Sequence, residues 1–123
     1  MICYVISRGC GFRRCSLAAH RLGDPAHDRV SIANVDLEFH LAIADVSKNP
    51  FMRSVSSLIE AALAISFKLS SPASDLAGIA ECAANHLKIV DAIASRDEEA
   101  TRQAMLHVID VGVERARRTF GPA

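Results

Sequence analysis

The sequence predicts an all-α fold. Half of its 123 residues are apolar, yet aromatics are few and Trp is absent. Packing therefore falls to Ala, Leu, Ile and Val, a composition that favours helix. Apolar residues recur with a period near 3.6 from residue 34 almost to the end. Proline and glycine fall between those runs rather than inside them, apart from Gly78 and Gly112.

Residues 1–33 show no clear period and read as an unassigned leader. Within them GFRRCSLAAHRL suits a short helix, broken by GDPAHDRVS. The first periodic helix is expected over residues 34–48, closed by KNP. Pro50 disfavours helix at Asn49 and suits the first turn of the next helix. That second helix is expected over residues 50–69. SSPASD is a turn and N-cap cluster, and it opens a third helix over residues 74–95 with an interruption near Gly78. The fourth is expected over residues 97–118. Asp97, Glu98 and Glu99 sit in its first turn and Arg115, Arg117 and Arg118 in its last turns, both favourable to the helix dipole. Residues 34–120 thus form one helical domain.

The totals exclude several classes. The formal charge is zero with histidines neutral, so the whole chain has no electrostatic case for nucleic acid or an anionic membrane. No apolar run reaches the roughly 20 residues needed to span a bilayer. Cys3, Cys10, Cys15 and Cys82 lack the paired C-x-x-C spacing of a zinc ribbon. The opening MICYVISRGCGFRRC puts its apolar stretch before its arginines, the reverse of a secretory signal. Reduced thiols in the cytoplasm are the default. There is no Gly-rich phosphate loop and no nucleophile elbow.

The chemistry lies in the helix faces. A helix turns about 100° per residue, which places His40 about 40° from Asp36, with Ile43 and Ser47 close by. Glu38 and Asp45 fall on the opposite, wet side. Asp36 and His40 therefore occupy the centre of the apolar face, where a carboxylate is costly unless paired, protonated or bound to a cation. His86 repeats the pattern on the third helix, among Ile79, Cys82, Val90 and Ile93. Lys88, Asp91 and Ser95 mark its wet side. D-x-x-x-H on one helix with an inward imidazole on another is how helical bundles build metal sites. Plainer readings stand beside this one. An inward histidine can be a satisfied core residue. Asp36 and His40 can bond each other across one turn, and Asp36 lies near N-cap territory. His107 falls with Gln103, Asp110 and Glu114 on the polar side of the fourth helix, opposite Thr101, Met105, Val108 and Gly112.

Two stretches resemble a known family. DLEFHLAIADVSKNPFM is similar to the D-x-x-F-H-x-x-I-A-x-x-x-x-N-P signature of the FCD domain, the C-terminal effector domain of FadR-type GntR transcription regulators. HLKIVDAIASRDEEATRQAM is similar to its later H-x-x-I-x-x-A-I-x-x-x-D-x-x-x-A-x-x-x-M segment, with Thr101 where alanine is usual. The match runs from about Val35 to Arg118. The resemblance implies an antiparallel helical bundle with a central cavity. It implies a divalent metal held by one aspartate and three histidines, with small carboxylates bound at or near it. Carried over, the metal ligands are Asp36, His40 and His86. The family's last histidine falls at Val108 here, and His107 is one place early. A full regulator also has an N-terminal winged helix-turn-helix, and none fits before Val35. The family's first effector helices also have no counterpart in residues 1–33, so a partial bundle that self-associates is expected.

The resulting expectation is a non-enzymatic domain that binds a small organic acid and a divalent metal (zinc, nickel or manganese). It would be a cytoplasmic homo-oligomer that reaches DNA only through a missing N-terminal module. The alternatives are a metal-dependent hydrolase on the same ligands and an inert or dimerising fragment of a regulator.

Overall fold

A computed structural model describes residues 10–121. They form α1 (Cys10–Arg21), α2 (Arg29–Val46), α3 (Pro50–Ser54), α4 (Ser56–Leu69), a short 3₁₀ turn (Pro72–Ser74), α5 (Leu76–Ala94) and α6 (Glu98–Phe120). No strand occurs among the described residues. Residues 1–9, including Cys3, lie outside them.

Residues 10–33, read from sequence as part of an unassigned leader, contribute to the bundle. Cys15, Ala18 and Ala19 of α1, with Leu22 just after it, follow helical spacing and are fully buried in the main core. These side chains are mostly small, so the stripe is weak in sequence although α1 packs closely on α2 and α5. Gly11 comes so near Val46 that a Cβ there would overlap its methyls. The expected start of the next helix at residue 34 is corrected to Arg29. Asp28 accepts from the Ser31 amide at 2.8 Å, and the Ser31 hydroxyl accepts from the Asp28 amide at 3.0 Å. This reciprocal cap lies ahead of the apolar period and opens the helix five residues early. His27 braces the same turn, with Nε2 2.7 Å from the Arg21 carbonyl and Nδ1 2.9 Å from the Ser31 hydroxyl.

The α2–α3 turn follows its sequence signal. Lys48 takes a left-handed φ of 52°, and the Asn49 side chain accepts from the Phe51 amide at 3.0 Å. The expected continuous helix over residues 50–69 is corrected to two pieces parted at Val55. The Ser54 hydroxyl donates to the Pro50 carbonyl at 3.1 Å, a back-bond that competes with the helical ladder and bends it.

Gly78 does not interrupt α5. It sits in the first turn, its amide donating to the Asp75 cap at 2.6 Å, and its backbone lies so close to the Pro72 carbonyl that a Cβ would collide. The turn between α5 and α6 closes with the Arg96 amide on Ile93 at 3.0 Å and the Asp97 amide on Ala92 at 3.1 Å. Those two bonds satisfy carbonyls at the end of α5 and require the left-handed φ of 57° at Arg96. The Asp97 side chain then caps α6 by accepting from the Ala100 amide at 2.9 Å.

The fold thus combines two helical hairpins, α1–α2 and α5–α6, with α1 packed on α5 and α4 bridging α2 and α6. Phe39, Leu22, Ile32, Ile89 and Ile93 are its largest fully buried side chains. No helix among the described residues is long and apolar enough to cross a membrane.

Candidate functional site

Asp36 from α2 and His86 from α5 meet where the two hairpins face each other. Both are buried, with 2% and 3% of their surface exposed. His40, one turn beyond Asp36, is partly buried at the same place. His86 Nε2 lies 2.7 Å from Asp36 Oδ1, and His40 Nε2 lies 3.5 Å from the same oxygen. The rings are set by packing. Phe39 meets His40 edge-on with centroids 5.2 Å apart and His86 likewise at 5.0 Å.

The other face of the His86 ring fixes its tautomer. Nδ1–H donates to the Cys82 carbonyl at 2.7 Å. In the neutral ring Nε2 then carries a lone pair facing a carboxylate oxygen. That contact repels unless a proton or a metal cation lies between. Although the atoms are 2.7 Å apart, they fall outside hydrogen-bond alignment, and neither makes an aligned hydrogen bond to another group, His40 standing 3.5 Å from the Asp36 oxygen. Two buried polar atoms this close suit a charged imidazolium–carboxylate pair in the metal-free protein and ligands sharing an ion when a metal is bound.

The electrostatics agree with a charged pair. Burial raises the Asp36 carboxyl, but the contacts from His40 and His86 outweigh it and hold it well below the usual carboxylate range. Burial lowers His86, and the Asp36 carboxylate, helped by Cys82, raises it overall.

A large open pocket of about 1280 Å³ leads to this cluster. Its walls are mainly apolar, from Ile43, Met52, Leu63 and Phe67 on one side and Met105, Val108 and Ile109 on α6. Asn85 and Ser70 add neutral polar groups, and Arg115 lines it farther along α6. Its neighbour Arg118 engages Glu114 at 3.2 Å.

Of the three sequence-derived candidates, the His86 and His40 rings both approach one oxygen of Asp36, His86 at 2.7 Å and His40 at 3.5 Å. His107 is exposed on the outer side of α6, whereas Val108 faces the pocket. Sequence reasoning passed over Cys82 as a donor. It is buried, and one ligand atom each from Asp36, Cys82 and His86 lie within 4.8 Å of one another. The signal was present in its place one turn before His86 on the same inward stripe.

The family model described as the FCD domain matches residues 14–111. That span begins in α1, well before the stretch whose resemblance is visible by eye, and ends in α6. Comparison with curated proteins and with solved structures gives no match.

Proposed function

The chain belongs to the FCD domain family, and from that membership we propose that it binds a divalent metal through Asp36, His40 and His86 and a small organic acid beside it. FCD domains are the effector-binding domains of GntR-type regulators, not enzymes. The observation that carries the metal reading is the buried 2.7 Å approach of His86 Nε2 and Asp36 Oδ1 without hydrogen-bond alignment. One carboxylate oxygen and two imidazole nitrogens suit zinc, nickel or manganese.

Each residue has its own task in this reading. The Cys82 carbonyl holds the His86 ring so that Nε2 faces the ion. Asp36 supplies the charge and ties α2 to α5. The bound metal supplies a positive pole for the carboxylate of an effector. Apolar walls exclude water from the effector's carbon skeleton. Occupancy then favours one packing of the two hairpins over another, the shift that a regulator passes to a DNA-binding module.

The free thiols Cys10, Cys15 and Cys82 fit a reducing, cytoplasmic setting. Exposed Phe51, Leu58, Ile65 and Leu106, none of which lines the pocket, support a homodimer. The test is calorimetric titration of the metal-stripped protein, first with zinc and then with a panel of small mono-, di- and tricarboxylates. Zinc binding followed by zinc-dependent heat from one class of acid is expected. Equal response to the acids without zinc, or none to zinc, sinks the reading.

A further inference from the structure

We propose that the Cys82 thiolate is a fourth protein ligand, giving this chain a mixed oxygen, nitrogen and sulfur metal site. The inference rests on the metal reading above and adds to it which donor completes the site and which metals it prefers.

Three observations converge. Cys82 is buried and lines the pocket beside Asp36 and His86. Its sulfur, a carboxylate oxygen of Asp36 and a ring nitrogen of His86 lie within 4.8 Å of one another. Independently, Asp36 Oδ1 and His86 Nε2 are buried 2.7 Å apart without an aligned hydrogen bond, so atoms other than the sulfur also suit a shared ion at this place. The facing wall of α6 presents Met105, Val108 and Ile109, whose side chains offer no oxygen or nitrogen donor, and the Glu114 carboxylate farther along it is engaged by Arg118 at 3.2 Å. His107 on that helix is exposed. Among the described residues, Cys82 is the donor that groups with Asp36 and His86 within 4.8 Å.

The Cys82 sulfur lies on the Nδ1 side of the His86 ring, so ligation requires its rotation toward Nε2 and Asp36. The Sγ atom lies 3.8 Å from His86 Nδ1, a long and weak contact. That nitrogen is already committed to the Cys82 carbonyl at 2.7 Å. Turning the thiol about its Cα–Cβ bond loses little. On binding, the S–H proton would pass to solvent and an S–metal bond would form, so the net charge of the loaded site would be one lower than with a neutral ligand, the metal staying divalent.

Sulfur changes selectivity. Carboxylate and imidazole alone leave manganese, nickel and zinc as contenders, whereas a thiolate favours zinc and cobalt over manganese. It also makes metal loading sensitive to thiol-blocking reagents once the pocket is open.

The test uses cobalt as a spectroscopic stand-in for zinc, on the full chain with Cys3→Ser and Cys10→Ser to remove other thiolate signals. The parent background should show near-ultraviolet thiolate-to-cobalt absorption and should prefer zinc to manganese strongly. Cys82→Ser should lose that absorption, keep its helical spectrum and bind zinc at least about tenfold more weakly, with a smaller zinc-to-manganese ratio. A Cys82→Ala variant guards against the serine oxygen acting as a replacement ligand. Cobalt bound without thiolate absorption, and zinc affinity unchanged in both variants, overturns the Cys82 assignment while leaving a metal on Asp36, His40 and His86. Absence of any cobalt or zinc binding overturns that underlying reading as well.

Discussion

Asp36 on α2 and His86 on α5 form a buried charge pair, 2.7 Å apart, that joins the two helical hairpins. Zinc should raise the melting temperature by an amount that corresponds to about 2.7 kcal/mol at a hundredfold excess over its dissociation constant. His86→Ala should abolish most of this gain, and His107→Ala should retain it. Melts of the three proteins with and without zinc decide the matter. Retained zinc response in His86→Ala with loss in His107→Ala contradicts the ligand assignment.

The metal-stripped protein should have a distinctive pH profile. The Asp36 carboxyl is held low, so its stabilisation is complete above the unfolded value of about 3.9 and is lost as pH falls through the folded value. His86 is raised from 6.5 to about 10, so its stabilisation is complete below 6.5 and is lost as pH rises toward about 10. Stability from the pair is therefore greatest between those limits, roughly pH 4 to 6.5. In excess zinc the trend should reverse between about pH 6 and 8, because protons compete for the imidazoles. Melts in chelator and in zinc across this range check both signs; parallel profiles would contradict them.

Cys10 and Cys15 should differ sharply toward alkylating agents. Cys10 is exposed, while Cys15 is fully buried and burial pushes its thiol up to about 11, against a smaller lowering by Arg14. At mildly alkaline pH a maleimide should label Cys10 within minutes and Cys15 only on unfolding. Peptide mass mapping reads this directly. Comparable labelling rates at the two sites would show that α1 does not pack as described.

Lys48→Gly should stabilise the fold. Lys48 holds a left-handed φ of 52° at the end of α2 and its side chain is exposed. Glycine removes the Cβ conflict but adds unfolded-state entropy, leaving a net gain of about 0.5 kcal/mol. Urea denaturation measures it; a loss of stability would mean that the lysine side chain contributes more than its exposure suggests.

Self-association should involve the outer apolar residues. Leu58 and Leu106 are 67% and 41% exposed, and neither lines the pocket. Leu58→Glu together with Leu106→Lys should shift a dimer toward monomer in sedimentation while leaving the zinc response intact. An unchanged sedimentation coefficient would exclude these faces from the interface.

Much of the site was legible because side-chain direction on a helix follows from sequence spacing. Asp36, His40 and His86 face inward, and Glu38, Asp45, Lys88 and His107 lie on outer or partly exposed faces, as a 100° step requires. The missing parts have local causes. The inward stripe of α1 is built largely from Cys15, Ala18 and Ala19, which barely register beside Leu and Ile. The Asp28–Ser31 cap precedes the apolar pattern it serves. The break at Val55 is accompanied by a serine hydroxyl bonded to the Pro50 carbonyl, a local feature that periodicity does not detect. The nearness of Cys82 to Asp36 is a distance between helices, and no spacing within either helix reports it.

The seam between hairpins also has a kinetic consequence. Each hairpin joins neighbours in sequence and closes a short loop, whereas Asp36 reaches His86 only after a long intervening chain is organised. The charge pair should therefore form after the folding barrier, so its loss accelerates unfolding and leaves refolding nearly unchanged. A metal seated there would act as a latch on the native state, lengthening its lifetime more than speeding its formation. Stopped-flow refolding and unfolding of Asp36→Asn would show this as a change confined to the unfolding limb, and a slowed refolding limb would place the seam in the folding nucleus instead.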